Sequence, residues 1–252
     1  MVSYQIDIII INYNTKDYLS DCLQSIKKFS GNINDYRVWV VDNASSDGSV
    51  ELIKNHSDFV NGIYNQENRG YGPACNQGIS AGSGNYIFLL NSDILVTNKW
   101  LPPLITTLSS SGVAVVGPRL VNPSGLLVGV GVVGTNAHPL FRGWNEPNEP
   151  DRYNKQLEVL SVGGACMGIK RELIPKLGLF DEHYFHYFEE TDYCYNARFH
   201  GYKIIYCPES TVIHCVSGSC RDFQKLRRYY REGEKYFQKK WKSFLSDTTK
   251  YG

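Results

Sequence analysis

The chain has 252 residues, 42% hydrophobic and 20% charged, which suits one large domain or two small ones and excludes disorder as the main state. Lysine and arginine number 26 against 25 for aspartate and glutamate, so the global basic footprint of a nucleic-acid binder is absent. Seven cysteines, an odd count without a C-x-x-C pair, argue against a disulfide framework and fit reduced thiols.

The opening MVSYQIDIIIINYN has no basic n-region and places Asp7 where a signal peptide needs apolar residues. Residues 6–11 form a near-continuous β-branched run, as expected of a strand covered on both faces. Asn14 is placed to cap the next helix, one face of which is marked by Leu19, Cys22, Leu23 and Ile26. Strands are predicted at 37–41, 62–65 and 86–90. Between them come a short helix after Ser45-Ser46-Asp47-Gly48 and another opened by Gly70-Tyr71-Gly72-Pro73. This alternation predicts a mostly parallel α/β sheet with ligands beyond the carboxyl ends of its strands. Polar residues gather at three such ends: Asn12 and Asn14, Asp42 and Asn43, Asn91 and Asp93.

The second half differs. The most apolar stretch, 112–134, is broken by Pro118, Arg119, Asn122 and Pro123 and cannot be a transmembrane helix, so a cytoplasmic protein is expected. Asn122-Pro123-Ser124-Gly125 fits a type I turn and predicts antiparallel pairing of 115–121 with 126–133. Residues 138–154 are polar, proline-rich and aperiodic, hence a long loop. A strand through Gly163-Gly164 is predicted over 161–170, a helix over 190–200 stopped by Gly201, and short strands at 203–206 and 211–214. The tail, 221–252, carries ten Lys/Arg against four Asp/Glu, interleaved with Tyr229, Tyr230, Tyr236, Phe237, Trp241 and Phe244. It reads as a helix that either docks on an anionic membrane or packs its aromatic face on the domain.

Several residues carry chemistry. Asp93 ends LLNSD, where a hard oxygen donor suits Mg²⁺ or Mn²⁺; a turn or helix-cap aspartate is the plain alternative. Asp42, in VVDNASSDGS, either accepts a nucleobase N–H or caps a helix. Glu189, Glu190 and Asp192 sit among Phe185, Tyr187, Phe188 and Tyr193, surroundings that raise a carboxylate towards what a general base needs. His214 stands near Cys207, Cys215 and Cys220, whose spacing matches no zinc knuckle. No glycine-rich dinucleotide fingerprint, P-loop or G-x-S-x-G elbow occurs, which removes dehydrogenase, NTPase and α/β-hydrolase readings.

In order, IIIINYN (8–14), VVDNASSDGS (40–49), NRGYGPACNQG (68–78), LLNSD (89–93), VGGACMGIKRE (162–172) and FDEHYFHYFEETDYCYNARFHGY (180–202) resemble the family-2 type of inverting glycosyltransferases with a GT-A fold. The likeness is greatest to the bacterial rhamnosyltransferase-like branch. It implies a GT-A-like, mostly parallel central sheet flanked by helices, with a smaller mixed part on the acceptor side. Residues 1–220 would form one catalytic domain, 1–95 binding the nucleotide sugar and 96–220 the acceptor, followed by the helical tail 221–252.

The resemblance also assigns roles. Asn12 and Tyr13 would line the nucleotide pocket, Asp42 would hydrogen-bond a pyrimidine beside Asn43, and Arg69 would lie near the ribose or diphosphate. Asn76 would shape the same helix face. Asn91, Ser92 and Asp93 match the metal-binding DxD segment with its first aspartate replaced, and His214 matches a position that completes the metal shell. Glu190 matches the general base, with Glu189 and Asp192 as lesser candidates, and Gly163 and Gly164 match a bend that leaves room for the acceptor sugar. The expected reaction moves a sugar from a UDP- or dTDP-sugar, dTDP-rhamnose by branch likeness, to a glycan or lipid-linked glycan hydroxyl in cell-surface polysaccharide assembly, assisted by Mg²⁺ or Mn²⁺. Peripheral contact with the inner membrane face and a homodimer are the partner expectations for the tail, and no nucleic acid is expected. A non-catalytic sugar-nucleotide- or glycan-binding module and a sugar nucleotidyltransferase stand as alternatives.

Overall fold

A computed structural model describes residues 5–32, 34–149, 151–215, 222–246 and 249–251. The β-branched run becomes β1 (Ile6–Asn12), buried along its whole length. The chain continues through α1 (Lys16–Phe29), β2 (Tyr36–Asp42), α2 (Ser49–Asn55), β3 (Val60–Tyr64), α3 (Tyr71–Ala81) and β4 (Tyr86–Asn91). Then come β5 (Ile94–Val96), α4 (Leu101–Ser109), β6 (Val113–Val121), β7 (Leu127–Gly129), β8 (Val132–Gly134) and β9 (Pro139–Phe141). β10 (Leu157–Glu158), β11 (Cys166–Lys170), α5 (Ile174–Leu177), α6 (Glu189–Phe199), β12 (Lys203–His214) and α7 (Phe223–Lys240) complete it.

The main sheet has the order β10-β12-β6-β11-β4-β1-β2-β3. β3, β2, β1, β4, β6 and β12 run one way, and β11 and β10 run against them. Alternation along β1 feeds two cores: Ile6, Ile8 and Ile10 pack with α1 and α4, while Ile9 and Ile11 pack with α3 and α6. The predicted mostly parallel α/β sheet is the observed one.

Elsewhere local expectations give way to tertiary contacts. Asn14 is not the helix cap: it adopts a left-handed φ of 53° and its Oδ1 accepts the Ser46 N–H, while Asp47 Oδ2 accepts the Lys16 N–H at 2.8 Å. The expected strand over 161–170 begins only at Cys166, because the chain turns at 164–165. Leu127–Gly129 does pair antiparallel with β6, but Gly131 turns the chain, so β8 pairs with β9 inside the expected loop. The two short strands at 203–206 and 211–214 fuse into β12, with an irregularity between Cys207 and Thr211.

α7 folds back on the domain. Its Phe237, with Trp241, joins Tyr184 and Tyr195 in a third buried cluster. Asp222 caps its start by accepting the Gln224 and Lys225 N–H groups. Phe237 and Trp241 are therefore turned inward, leaving the basic face outward with Phe223 and Tyr230 exposed. Among the described residues no helix is long and apolar enough to cross a membrane.

Candidate active site

Register brings the polar strand ends together. Asn12 pairs with Asp42 across β1 and β2, and Ile11 with Asn91 across β1 and β4. One hydrogen-bonded chain runs over these ends. Thr15 Oγ1 lies 2.6 Å from Ser92 Oγ and donates to Asn12 Oδ1 at 2.8 Å. Asn12 Nδ2 donates to Asp42 Oδ2 at 2.7 Å, and Asp42 Oδ1 accepts the Ser45 N–H at 2.8 Å. Asn43 donates to the Gly70 carbonyl and accepts from Asn65.

Asn12 and Asp42 have no accessible surface, so here they prop the wall, while Tyr13, Asn91 and Asp93 are part-exposed and Arg69 is open to solvent. Both Asp42 oxygens are engaged here, Oδ2 by the Asn12 amide and Oδ1 by the Ser45 N–H. Asn76 is likewise committed: its amide donates to the Phe180 carbonyl and to Glu182, and accepts the Phe180 N–H, pinning 180–182 onto α3.

Asp93 and His214 come from distant parts of the chain. β5 and β12 pair so that His214 faces Ile94, and the Cys215 N–H donates to the Asp93 carbonyl. His214 Nε2 then lies 3.3 Å from Asp93 Oδ1, both side chains largely buried. His214 Nδ1 is buried without a partner among the described residues. One carboxylate oxygen and one imidazole nitrogen at this spacing can share a divalent ion, and the donor set suits Mn²⁺ or Mg²⁺. Cys207 and Cys215 are free thiols, and Cys220 lies outside the described residues.

The three carboxylates of α6 separate by environment. Asp192 accepts from Lys240 Nζ at 2.8 Å, Trp241 Nε1 at 2.7 Å and Tyr184 Oη at 3.1 Å, which commits it to holding α7. Glu189 is buried beside Tyr71 and Cys75, and its Oε2 has no partner among the described residues. Burial, then the charge of Glu190, holds the Glu189 carboxyl well above the usual range. Glu190 is part-exposed and accepts a 3.2 Å bond from Thr191 Oγ1, and burial raises its carboxyl although that hydroxyl and the backbone N–H groups of Glu190 and Thr191 pull the other way.

A Cβ on Gly164 would lie 3.2 Å from Glu190 Cγ, so the missing side chain at Gly164 makes room for Glu190. The same turn is tied to β4, because the Asn91 N–H donates to the Ala165 carbonyl. Tyr71 Oη donates to the Gly164 carbonyl at 2.7 Å. Gly70, at φ 91°, lets the chain press against the Phe185 carbonyl, which accepts the Tyr71 N–H. Phe188 and Tyr187 precede α6 with left-handed φ values of 73° and 72°.

Sequence reasoning missed Thr15, Ser45 and Tyr71, whose only signal was their place within the polar strand-end segments. It also missed Lys240, which nothing local distinguishes from the other tail cations.

The family described as glycosyl transferase family 2 has a model that matches residues 7–178. Glu190, His214 and α7 lie beyond that match. The low-salt glycan biosynthesis hexosyltransferase Agl10 of Haloferax volcanii is 27% identical over 214 residues, covering 83% of this chain and 66% of the relative. The pre-mycofactocin glycosyltransferase of Mycobacterium tuberculosis is 25% identical over 213 residues, 81% of this chain and 43% of the relative. The mannosyltransferase PcManGT from Pyrobaculum calidifontis, solved with GDP-Man and Mn²⁺, superposes with a TM-score of 0.70 at 17% identity, over 98% of this chain and 66% of that one. GalNAc-T7, solved with UDP, GalNAc and Mn²⁺, gives 0.69 at 19% identity, over 93% and 50%. The chain spans about two thirds or less of the length of these proteins, and at such identities the structural likeness establishes the GT-A fold.

Proposed function

The chain belongs to glycosyl transferase family 2, and on that premise we propose that it transfers a sugar from a nucleotide-sugar donor to an acceptor hydroxyl with inversion. The observation that carries this reading is the turn at 163–165. It joins the strand end bearing Asn91 and Asp93 to a half-buried carboxylate, Glu190, that is free of any cation among the described residues. Donor-side and acceptor-side groups thus meet on one rim of the sheet.

Asp93 and His214 would hold a divalent ion. When bound, the ion supplies Lewis-acid stabilisation of the departing diphosphate. That Mn²⁺ accompanies the sugar nucleotide or nucleotide in both structural neighbours supports this choice. Tyr13, Asn91 and Arg69 offer the accessible polar groups for the nucleotide, while Asn12, Asp42, Asn43 and Ser92 fix the wall behind them. Glu190 takes the proton from the acceptor hydroxyl as its oxygen attacks the anomeric carbon and the bond to diphosphate breaks on the opposite face. The raised carboxyl of Glu190 suits it to hold that proton. Asp192, saturated by Lys240, Trp241 and Tyr184, serves as an anchor instead. The donor class is a UDP- or dTDP-sugar and the setting cell-surface glycan assembly.

Calorimetric titration with UDP, dTDP and GDP, with and without Mn²⁺, tests the donor half: Mn²⁺-dependent binding that weakens in Asp93→Ala supports it. Glu190→Ala is expected to keep nucleotide affinity and lower turnover by about 10²–10⁴-fold, the range of a general base. Wild-type turnover in that variant would sink the assignment.

A further inference from the structure

We propose that the outward face of α7 docks on an anionic lipid bilayer. Arg227, Arg228, Arg231, Lys235 and Lys239 are exposed along it, and the first four frame a shallow surface hollow with Gln224 and Glu232. The acids of the helix are Glu232, paired with Arg228 at 4.0 Å, and Glu234, one turn beyond Arg231, so the cations still outnumber them along this face. The whole chain has a formal charge of only +1, so this is segregated charge, not a basic protein. Over 18 residues the helix is about 27 Å long, and the cations at 227, 231, 235 and 239 follow one another at i+4 along its outer side.

The helix cannot roll to offer its aromatic side instead. Phe237 and Trp241 are buried, and Lys240 pairs with Asp181 at 2.7 Å and Asp192 at 2.8 Å. Adsorption is therefore electrostatic, helped at the N-terminal end by Phe223, which is 76% exposed, and flanked by Tyr230. Exposed apolar rings beside a cationic stripe can enter the headgroup region of a bilayer, and a chain of net charge +1 lacks the strongly basic balance of a nucleic-acid binder.

Directly behind the docked helix lies the segment leading into Glu190: Phe185 stacks on Tyr229 at 4.5 Å and Phe188 packs against Phe237 at 5.5 Å. Docking would bring the acceptor-side rim to the membrane, which fits a lipid-anchored acceptor. This last clause rests on the glycosyltransferase reading; the docking does not.

The test is sedimentation of the protein with vesicles of phosphatidylcholine alone or mixed with phosphatidylglycerol, at low and physiological salt, without any sugar nucleotide. Binding is expected only to the anionic vesicles and is expected to weaken with salt. The triple variant Arg227→Gln, Arg231→Gln, Lys235→Gln should lose on the order of 100-fold in partitioning, at about fivefold per cation. Its melting temperature and its turnover on a soluble acceptor should stay unchanged, since these side chains face away from the site. Equal binding to both vesicle types, no binding, undiminished binding of the triple variant, or displacement of vesicle-bound protein by duplex DNA overturns the proposal. Vesicle binding by a chain that turns over no nucleotide sugar would leave the docking standing and remove the enzymatic reading alone.

Discussion

Gly164→Ala isolates the placement of Glu190, the proposed general base, from everything else in the site. An added Cβ would meet Glu190 Cγ at 3.2 Å, Cβ at 3.3 Å and Cδ at 3.6 Å, where ordinary contacts begin near 3.4 Å. Glu190 must therefore withdraw by a few tenths of an ångström. Gly164 is not in the left-handed region, so the backbone itself tolerates alanine. A misplacement of about 1 Å can cost 10²-fold, so a fraction of that predicts a fall in kcat of about tenfold, or about 1.4 kcal/mol in the barrier. Nucleotide affinity should be unchanged, because Asp93 and His214 are untouched. Steady-state turnover and nucleotide calorimetry on the same preparation check both halves. Gly163→Ala provides the contrast, since its Cβ would meet only the far end of the Leu120 side chain at 3.1 Å. Unchanged kcat in Gly164→Ala, or a loss of nucleotide binding that accompanies a fall, would refute the placement of Glu190 against this turn.

Other expectations follow from the same contacts. His214→Ala should weaken Mn²⁺-dependent nucleotide binding at least tenfold, since even outer-shell partners of metal ligands cost about 10–100-fold; calorimetry with and without Mn²⁺ reads this. Lys240→Met leaves Asp192 buried without a cation and should cost about 2–4 kcal/mol, discounted because the lysine is 32% exposed. In that variant the folded Asp192 binds its proton more tightly than the unfolded chain does, so stability should recover as pH falls, and denaturant midpoints across pH would show it. Glu189 in the wild type is already in that situation: its raised carboxyl makes the folded state lose stability as pH rises. Glu189→Gln should therefore be the more stable protein at neutral and higher pH and gain nothing in acid, with a pH-independent difference counting against the reading. The acid limb of kcat/KM should lie above the ordinary carboxylate range near 4.3 and vanish in Glu190→Gln.

Much of the rim that carries Asn12, Asp42 and Asn91 was legible in the sequence because it is built from strand ends. A β-branched run followed by Asn12, and similar runs ending at Asp42 and Asn91, fix both the element and the place where its polar residue emerges. The carboxylates of α6 were harder. Glu189, Glu190 and Asp192 share one short helix and one aromatic neighbourhood, and only the arrival of Lys240 and Trp241 assigns Asp192 to anchoring. The turn at 163–165 read as strand because its apolar neighbours are strand formers, whereas contact with Glu190 and Tyr71 bends it. Asn14 lost the helix cap to Asp47, a residue that no local pattern brings to Lys16. In each case the deciding partner is remote, and periodicity carries no information about it.

The pairing of β12 with β5 has a bearing on how the chain acquires its activity. His214 reaches Asp93 only through that antiparallel register, and β12 is also fastened in parallel to β6 and along its other edge to β10. A partly folded chain that has assembled β1 to β4 carries Asp93 without its histidine. The Asp93–His214 pair is therefore complete only in a chain whose β12 has joined the sheet. An ion held by both residues would lend its binding free energy to the finished sheet and to none of its precursors. Divalent ions would then stabilise only chains in which β12 is in place.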